Sequence, residues 1–160
     1  MVEVRRVRPD EWRALRDTRL RALQDAPEAF ATRFEEARVR PDEWWVDWAA
    51  RSAVGESQAM FLAWEGGEPL GIVGTFVAED GRRWLIAMWT DPAARGRGVG
   101  RALVEATAAF ARAAGSDRLF LQVLEGNDTA ASLYRTCGFE DVGAGAPHDD
   151  RPTRELRLTL

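Results

Sequence analysis

Lysine is absent from this sequence, and all 22 basic residues are arginine. Chemistry that uses a lysine nucleophile or a lysine Schiff base within the chain is therefore excluded. Only one cysteine and one histidine are present. A single cysteine excludes an internal disulfide, and one residue of each type is too few for a zinc site of the usual Cys/His kind, so we expect no metal.

A positive charge excess is also lacking, because 26 acidic residues outnumber the 22 basic ones and the net charge is −4. Without an overall positive field, we expect no nucleic-acid partner. There is no apolar run of membrane length and no signal peptide, which predicts a soluble cytoplasmic protein without a membrane partner. A chain of 160 residues is long enough for one core, so we expect a single domain over residues 1–160.

The most informative stretch runs from Asp91 to Arg101 and reads DPAARGRGVGR. Its three glycines, at alternate positions, allow the backbone to turn tightly and to approach a ligand closely. A helix that begins at about Val99 adds unpaired N–H groups and the positive end of its dipole. The stretch therefore predicts an anion site suited to a pyrophosphate.

Two other phosphate-binding patterns fit this loop poorly. A mononucleotide P-loop needs a lysine and a hydroxyl residue after its last glycine, but Gly100 is followed by Arg101 and an alanine. A dinucleotide fingerprint needs a small residue where Arg101 stands, and it opens the first βαβ unit instead of lying late in the chain.

Hydrophobic periodicity and turn residues place the other elements around the loop. Helices are predicted after Pro9 and Pro41, where the hexapeptide VRPDEW occurs twice, over 102–114, and over a short segment after Asn127. Strands are predicted at 2–7, 58–64, 69–79, 83–90, 118–124, from 139 onward and at 153–160. The strand, helix and strand order predicts that strands 83–90 and 118–124 pair in parallel, with ligands bound beyond their carboxyl ends.

A second informative stretch runs from Asn127 to Phe139. Asn127 and Tyr134 are seven residues apart, which is close to two helical turns and places both on one face. A capping asparagine and a core tyrosine would account for the same residues without any function.

Together the two stretches resemble the GCN5-related N-acetyltransferase family. The loop matches the pattern Arg/Gln-x-x-Gly-x-Gly/Ala through Arg95, Gly98 and Gly100. Its hydrophobic lead-in ends in Asp-Pro as in the family, although Thr90 stands where an aliphatic residue is commoner. The second stretch matches the family segment Asn-(x)n-Ala-x-x-Leu-Tyr-x-x-x-Gly-Phe. The resemblance is good from Trp84 to Phe139 and loose in the N-terminal third.

The resemblance implies an α/β (α+β) fold. This is a mixed, mostly antiparallel sheet of six or seven strands, flanked by about four helices and splayed at a central parallel pair. It also implies acetyl-CoA as co-substrate and Tyr134 as general acid, with a backbone N–H near Met88 holding the oxyanion. The implied cofactor-binding residues are Met88, Trp89, Thr90, Arg95, Gly96, Arg97, Gly98, Val99, Gly100, Arg101, Asn127 and Tyr134.

The implied activity is direct transfer of an acetyl group to a primary amine of a small molecule or a peptide N-terminus, by a monomer or homodimer. The alternative is a non-catalytic acyl-CoA-binding or sensing domain of the same fold, because strand 83–90 carries no carboxylate to act as base. If the protein is an enzyme, a water chain would take the amine proton in place of a carboxylate.

The acceptor is expected between residues 26–36 and the loop around His148. Acidic residues border both segments and would favour a cationic acceptor, although such carboxylates are more often only solvated. An exposed His148 and a buried, unreactive Cys137 are the favoured interpretations. Trp45 and Trp48 are read as core, with an aromatic acceptor pocket as the alternative. The bordering carboxylates are Glu28, Glu35, Glu36, Asp149 and Asp150.

Overall fold

The computed structural model describes residues 1–160. Seven strands are present: β1 (Glu3–Arg6), β2 (Gln58–Glu65), β3 (Glu68–Val77), β4 (Arg83–Thr90), β5 (Arg118–Leu124), β6 (Glu140–Ala144) and β7 (Thr153–Thr159). Five α-helices are present: α1 (Trp12–Asp25), α2 (Phe34–Ala37), α3 (Asp42–Ser52), α4 (Val99–Ala113) and α5 (Asp128–Thr136). The family resemblance implied about four helices, and the additional one is α2, which is a single helical turn.

All seven strands form one sheet, in the order β1-β2-β3-β4-β5-β7-β6. Every neighbouring pair is antiparallel except β4 and β5, which are parallel. The predicted mixed sheet and its central parallel pair are therefore confirmed.

Each face of the sheet has its own apolar core. In β2, Phe61 packs with α4 and α5, whereas its neighbour Leu62 packs with α1 and α3. Successive strand residues point to opposite faces, so the two groups of helices cover opposite sides of the sheet.

The repeated VRPDEW hexapeptide begins a helix in both places. Pro9 opens a 3-10 turn that leads into α1, and Pro41 immediately precedes α3. Trp45 is 1% exposed and packs with Trp44 and Trp48 in the core beside α1, which confirms the core reading of these aromatics. None of the helices is both long and apolar enough to cross a membrane.

The parallel pair β4–β5 is joined over a short distance only. Trp84 and Phe120 are its one registered pair, and their rings lie 5.7 Å apart. Beyond this point the two strands separate towards their carboxyl ends, and the opening between them is the predicted splay.

Candidate active site

A cavity of about 510 Å³ occupies the opening between β4 and β5. Residues 84–88 of β4 line one side and residues 121–124 of β5 line the other. Tyr134 of α5 and Asn127, the N-cap of that helix, contribute from a third side, and the lining also includes residues 29–32, Arg19 and His148. The cavity thus lies beside the carboxyl-terminal half of β5 and along β4 from Trp84 to Met88, and ligands of such sheets bind towards the carboxyl ends of the strands.

A β-bulge in β4 forms part of the cavity wall. Ile72 of β3 lies opposite Trp89 and Gly74 lies opposite Ile86, so β4 contains one residue more than its partner in this interval. Ala87 accommodates it with a left-handed backbone, φ 57°. A bulge leaves its extra residue unpaired in the ladder, and both Ala87 and Met88 line the cavity. The bulge is therefore a candidate position for the backbone N–H near Met88 that the family resemblance implies for the oxyanion.

The glycine loop lies immediately beyond the end of β4. Gly98 is the N-cap of α4 with φ 81°, and no side chain caps the helix. The first N–H groups of α4, from Val99 to Arg101, have no intrahelical acceptor. Together with the helix dipole, they are donors of the kind that the predicted anion site requires.

Gly100 has a different role from the one the sequence suggested. It lies inside α4, and a Cβ at this position would be 3.0 Å from Leu133 Cδ2 and 3.4 Å from Met88 Cε. The absence of a side chain lets the first turn of α4 approach β4 and α5. Gly100 therefore serves helix packing, while Gly96 and Gly98 supply the positive φ angles of the turn.

The three arginines of the loop are already paired with carboxylates of the chain. Arg95 Nη2 lies 2.9 Å from Asp25 Oδ2, and Arg101 Nε lies 2.9 Å from Glu105 Oε1. Arg97 pairs with Glu65. All three side chains are about half exposed, so solvent screens these pairs and each contributes little to stability. An anion at the loop can compete for these cations, but the backbone N–H groups are the donors that no side chain occupies.

Two of the predicted cofactor residues can contribute only through their backbone. Trp89 is 5% exposed and packs in the core on the α1 side, where its Nε1 donates to Asp25 Oδ2 over 2.9 Å. Val99 is 2% exposed and belongs to the other core. Their side chains are structural.

Tyr134 is buried, and its ring packs edge-on against Phe139. Burial, with a smaller contribution from Cys137, raises the pKa of the Tyr134 phenol above its ordinary value of about 10, so the hydroxyl stays protonated at neutral pH. Asn127 accepts a hydrogen bond from Ala130 N over 3.3 Å through Oδ1 and so caps α5. Both residues also line the cavity. Asn127 is therefore a helix cap and Tyr134 a core residue, and each is in addition part of the cavity wall.

The model of the acetyltransferase (GNAT) family matches residues 12–139. The chain belongs to this family. It is 35% identical over 146 residues to the mycothiol acetyltransferase of Geodermatophilus obscurus, covering 86% of this chain and 44% of that protein. It is 45% identical over 53 residues to the N-alpha-acetyltransferase RimI of Mycobacterium tuberculosis, covering 33% of this chain and 32% of that protein. The chain thus spans less than half the length of these relatives.

Solved structures share the whole fold of this GNAT chain. An acetyltransferase of the GNAT family from Streptococcus pneumoniae superimposes with a TM-score of 0.85 at 20% identity, covering 100% of both chains. A putative acetyltransferase from Salmonella typhimurium, solved with acetyl-CoA, has a TM-score of 0.78 at 17% identity, covering 100% of this chain and 94% of its own. At these identities, the likeness establishes the fold.

The lining of the cavity is separate from the predicted acidic border. It includes no carboxylate, and the five acidic residues proposed for that border are all exposed outside it. The charged residue that does line the cavity is Arg19 of α1. Arg19 lies on the same face of α1 as Leu15 and Leu23, and a cation within that apolar stripe is the sequence signal that could have identified it.

His148 is also placed differently from the expectation of an exposed loop histidine. Its side chain is 21% exposed and lines the cavity, and Nε2 is shielded from solvent without a hydrogen-bond partner. A backbone bridge to Arg151 holds the loop in this position, with both hydrogen bonds at 2.9 Å. Cys137 was expected to be buried and unreactive. Its partial burial raises the pKa of the thiol and disfavours the reactive thiolate, which agrees with that expectation.

Proposed function

We propose that this GNAT domain is an acetyl-CoA-dependent N-acetyltransferase that acts on a primary amine of a small molecule or a peptide N-terminus. One observation carries the proposal. An uncapped helix N-terminus suited to a pyrophosphate follows the end of β4, and a cavity lined by Tyr134 extends along the same strand as far as Met88.

The residues present fit acetyl-CoA as co-substrate. The first N–H groups of α4 would hold the pyrophosphate, and the backbone from Met88 to Thr90 would follow the pantetheine arm, with Asn127 and Tyr134 on its other side. Acetyl-CoA supplies an activated thioester as the acetyl donor. The bulge beside Met88 would donate to the developing oxyanion, and Tyr134 would donate a proton to the departing thiolate.

The proton released by the attacking amine needs an acceptor. No carboxylate lines the cavity, and we assign this role to His148, whose Nε2 has no hydrogen-bond partner and lies 4.0 Å from Asp149 Oδ2. Imidazole is the side chain best suited to accept a proton near neutral pH. This assignment replaces a water chain as the favoured route.

The names of the relatives support both acceptor classes. Mycothiol acetyltransferase is named for a small-molecule product, and the RimI protein for a peptide N-terminus. The cavity volume of about 510 Å³ is in the range of small-molecule sites.

A non-catalytic acyl-CoA-binding domain is the second candidate, and the absence of a carboxylate from the cavity favours it. Release of free thiol from acetyl-CoA, followed over a panel of primary amines, separates the two functions. We expect amine-dependent thiol release. Calorimetric binding of acetyl-CoA without thiol release on any amine would support the sensing domain instead.

A further inference from the structure

Arg19 is a partly buried cation without an anionic partner. It projects from the middle of α1 and lines the cavity, and its Nη1 is shielded from solvent without a hydrogen-bond partner. No carboxylate of the chain forms a salt bridge with it, in contrast to the three arginines of the glycine loop. Arginines removed from solvent are normally paired, because an unpaired buried charge is costly.

The immediate surroundings of Arg19 do not remove this cost. Its guanidinium carbon lies 4.8 Å from the centre of the Phe30 ring, which provides a cation–π contact but no hydrogen-bond acceptor. Arg40 adds repulsion. Burial and this repulsion lower the pKa of Arg19 to about 10, so the side chain remains a cation at neutral pH.

We propose that the amine acceptor also carries a carboxylate, and that this carboxylate pairs with Arg19 in the cavity. The proposal rests on the proposed function and names its substrate class: small amino acids and related amino carboxylates. The planar guanidinium presents paired donors that match the two oxygens of a carboxylate. A small molecule within the cavity can reach both Arg19 and the wall at Met88, because both residues line it.

The remaining lining is compatible with such an acceptor. Without a carboxylate in the lining, nothing in the cavity competes for Arg19 or repels the acceptor's anionic end. The amine of the acceptor must be neutral to attack. His148, whose Nε2 is shielded from solvent, lines the same cavity and would accept the amine proton. The acceptor is thus recognised at one end by charge and activated at the other.

The proposal is tested by the ratio of kcat/KM for an acceptor with a carboxylate to kcat/KM for a matched neutral acceptor. L-Phenylalanine, L-phenylalaninamide and phenethylamine differ in the carboxylate, and 4-aminobutyrate and butylamine repeat the comparison with a longer spacing. We expect at least one carboxylate-bearing acceptor to exceed its neutral partner in kcat/KM by about 10- to 100-fold. Arg19→Gln should abolish this ratio, and Arg19→Lys should retain part of it.

Arg13→Gln is the matched control. Arg13 is on the same helix, is exposed and does not line the cavity, so its replacement should leave the ratio unchanged. Neutral acceptors that are equal to or better than their carboxylate partners in both series would overturn the inference while leaving the transferase function intact. A ratio that persists in Arg19→Gln would overturn it as well.

A binding measurement keeps the inference testable if no amine is acetylated. The probe is 3-phenylpropionate, compared with 3-phenylpropionamide, titrated by calorimetry into wild type and Arg19→Gln. Binding of the carboxylate alone, lost in Arg19→Gln, would support the carboxylate site even if the transferase proposal failed. Equal binding of both compounds, or of neither, together with absent turnover, would refute both proposals.

Discussion

Replacement of Gly98 by valine tests the anion site most directly. Gly98 has φ 81°, and a Cβ built there meets no protein atom within 4 Å. The protein therefore has room for the new side chain, which would project into the open space beside the N-terminus of α4. We expect Gly98→Val to prevent a pyrophosphate from approaching the first N–H groups of the helix.

The size of the effect follows from the donors lost. A hydrogen bond to a charged group contributes about 1.5–3 kcal/mol, and the side chain would block at least two of the helix N–H groups. The loss is then at least about 3 kcal/mol, which weakens acetyl-CoA binding roughly 100-fold or more. Calorimetric titration with acetyl-CoA measures this directly.

Backbone strain is the competing explanation, because valine at a positive φ costs roughly 1–3 kcal/mol of folding free energy wherever it occurs. Gly81→Val is the matched control. Gly81 has φ 85°, and its Cβ position is equally open, but it lies in the turn before β4, at the end of the strand away from the loop. Both variants should lose similar stability in urea, and only Gly98→Val should lose acetyl-CoA affinity.

Two results would refute the assignment of the loop. One is undiminished acetyl-CoA affinity in a folded Gly98→Val protein. The other is an equal loss of affinity in Gly81→Val, which would attribute the effect to strain.

Four further predictions follow from single residues. Tyr134→Phe should lower kcat by roughly 10-fold or more with little change in the KM for acetyl-CoA, and an unchanged kcat in a chemistry-limited assay would leave Tyr134 a core residue. Because Tyr134 is the only tyrosine in the chain, its phenolate absorbance can be titrated without ambiguity. Since burial raises its pKa in the folded protein, the native phenol should stay protonated above pH 10, where the unfolded phenol ionises. The free energy of unfolding should therefore fall as the pH rises beyond about 10, and a native titration near the unfolded value would contradict the burial. Arg97→Ala should cost about 1 kcal/mol of acetyl-CoA affinity, because Arg97 is half exposed and must leave Glu65 to meet an anion; a loss as large as that of Gly98→Val would mean that the cation, and not the backbone, dominates the site. His148→Gln should lower kcat/KM for the amine, and an unchanged kcat/KM would remove His148 from the reaction.

Local features of the sequence determined most of the fold. Strands 83–90 and 118–124 and the start of α4 at Val99 were predicted at their observed bounds, because apolar runs and glycine turns act within a few residues. Asn127 likewise caps α5 as its residue type and position indicated. The parallel pair followed from the order of these elements, whereas the family and its sheet of six or seven strands followed from the resemblance of the two motifs.

The charge distribution of the site was decided only by the tertiary structure. Arg95 meets Asp25 across 70 residues of sequence and Arg97 meets Glu65 across 32, so the cations that crowd the loop in the sequence are neutralised in the fold. Conversely, Arg19 could be placed within an apolar helix stripe, but its lack of a partner depends on every segment that packs around it. Burial and ion pairing depend on contacts between residues that are distant in sequence, so they require the tertiary structure. Caps, turns and periodicity depend on neighbouring residues and can be read from the sequence.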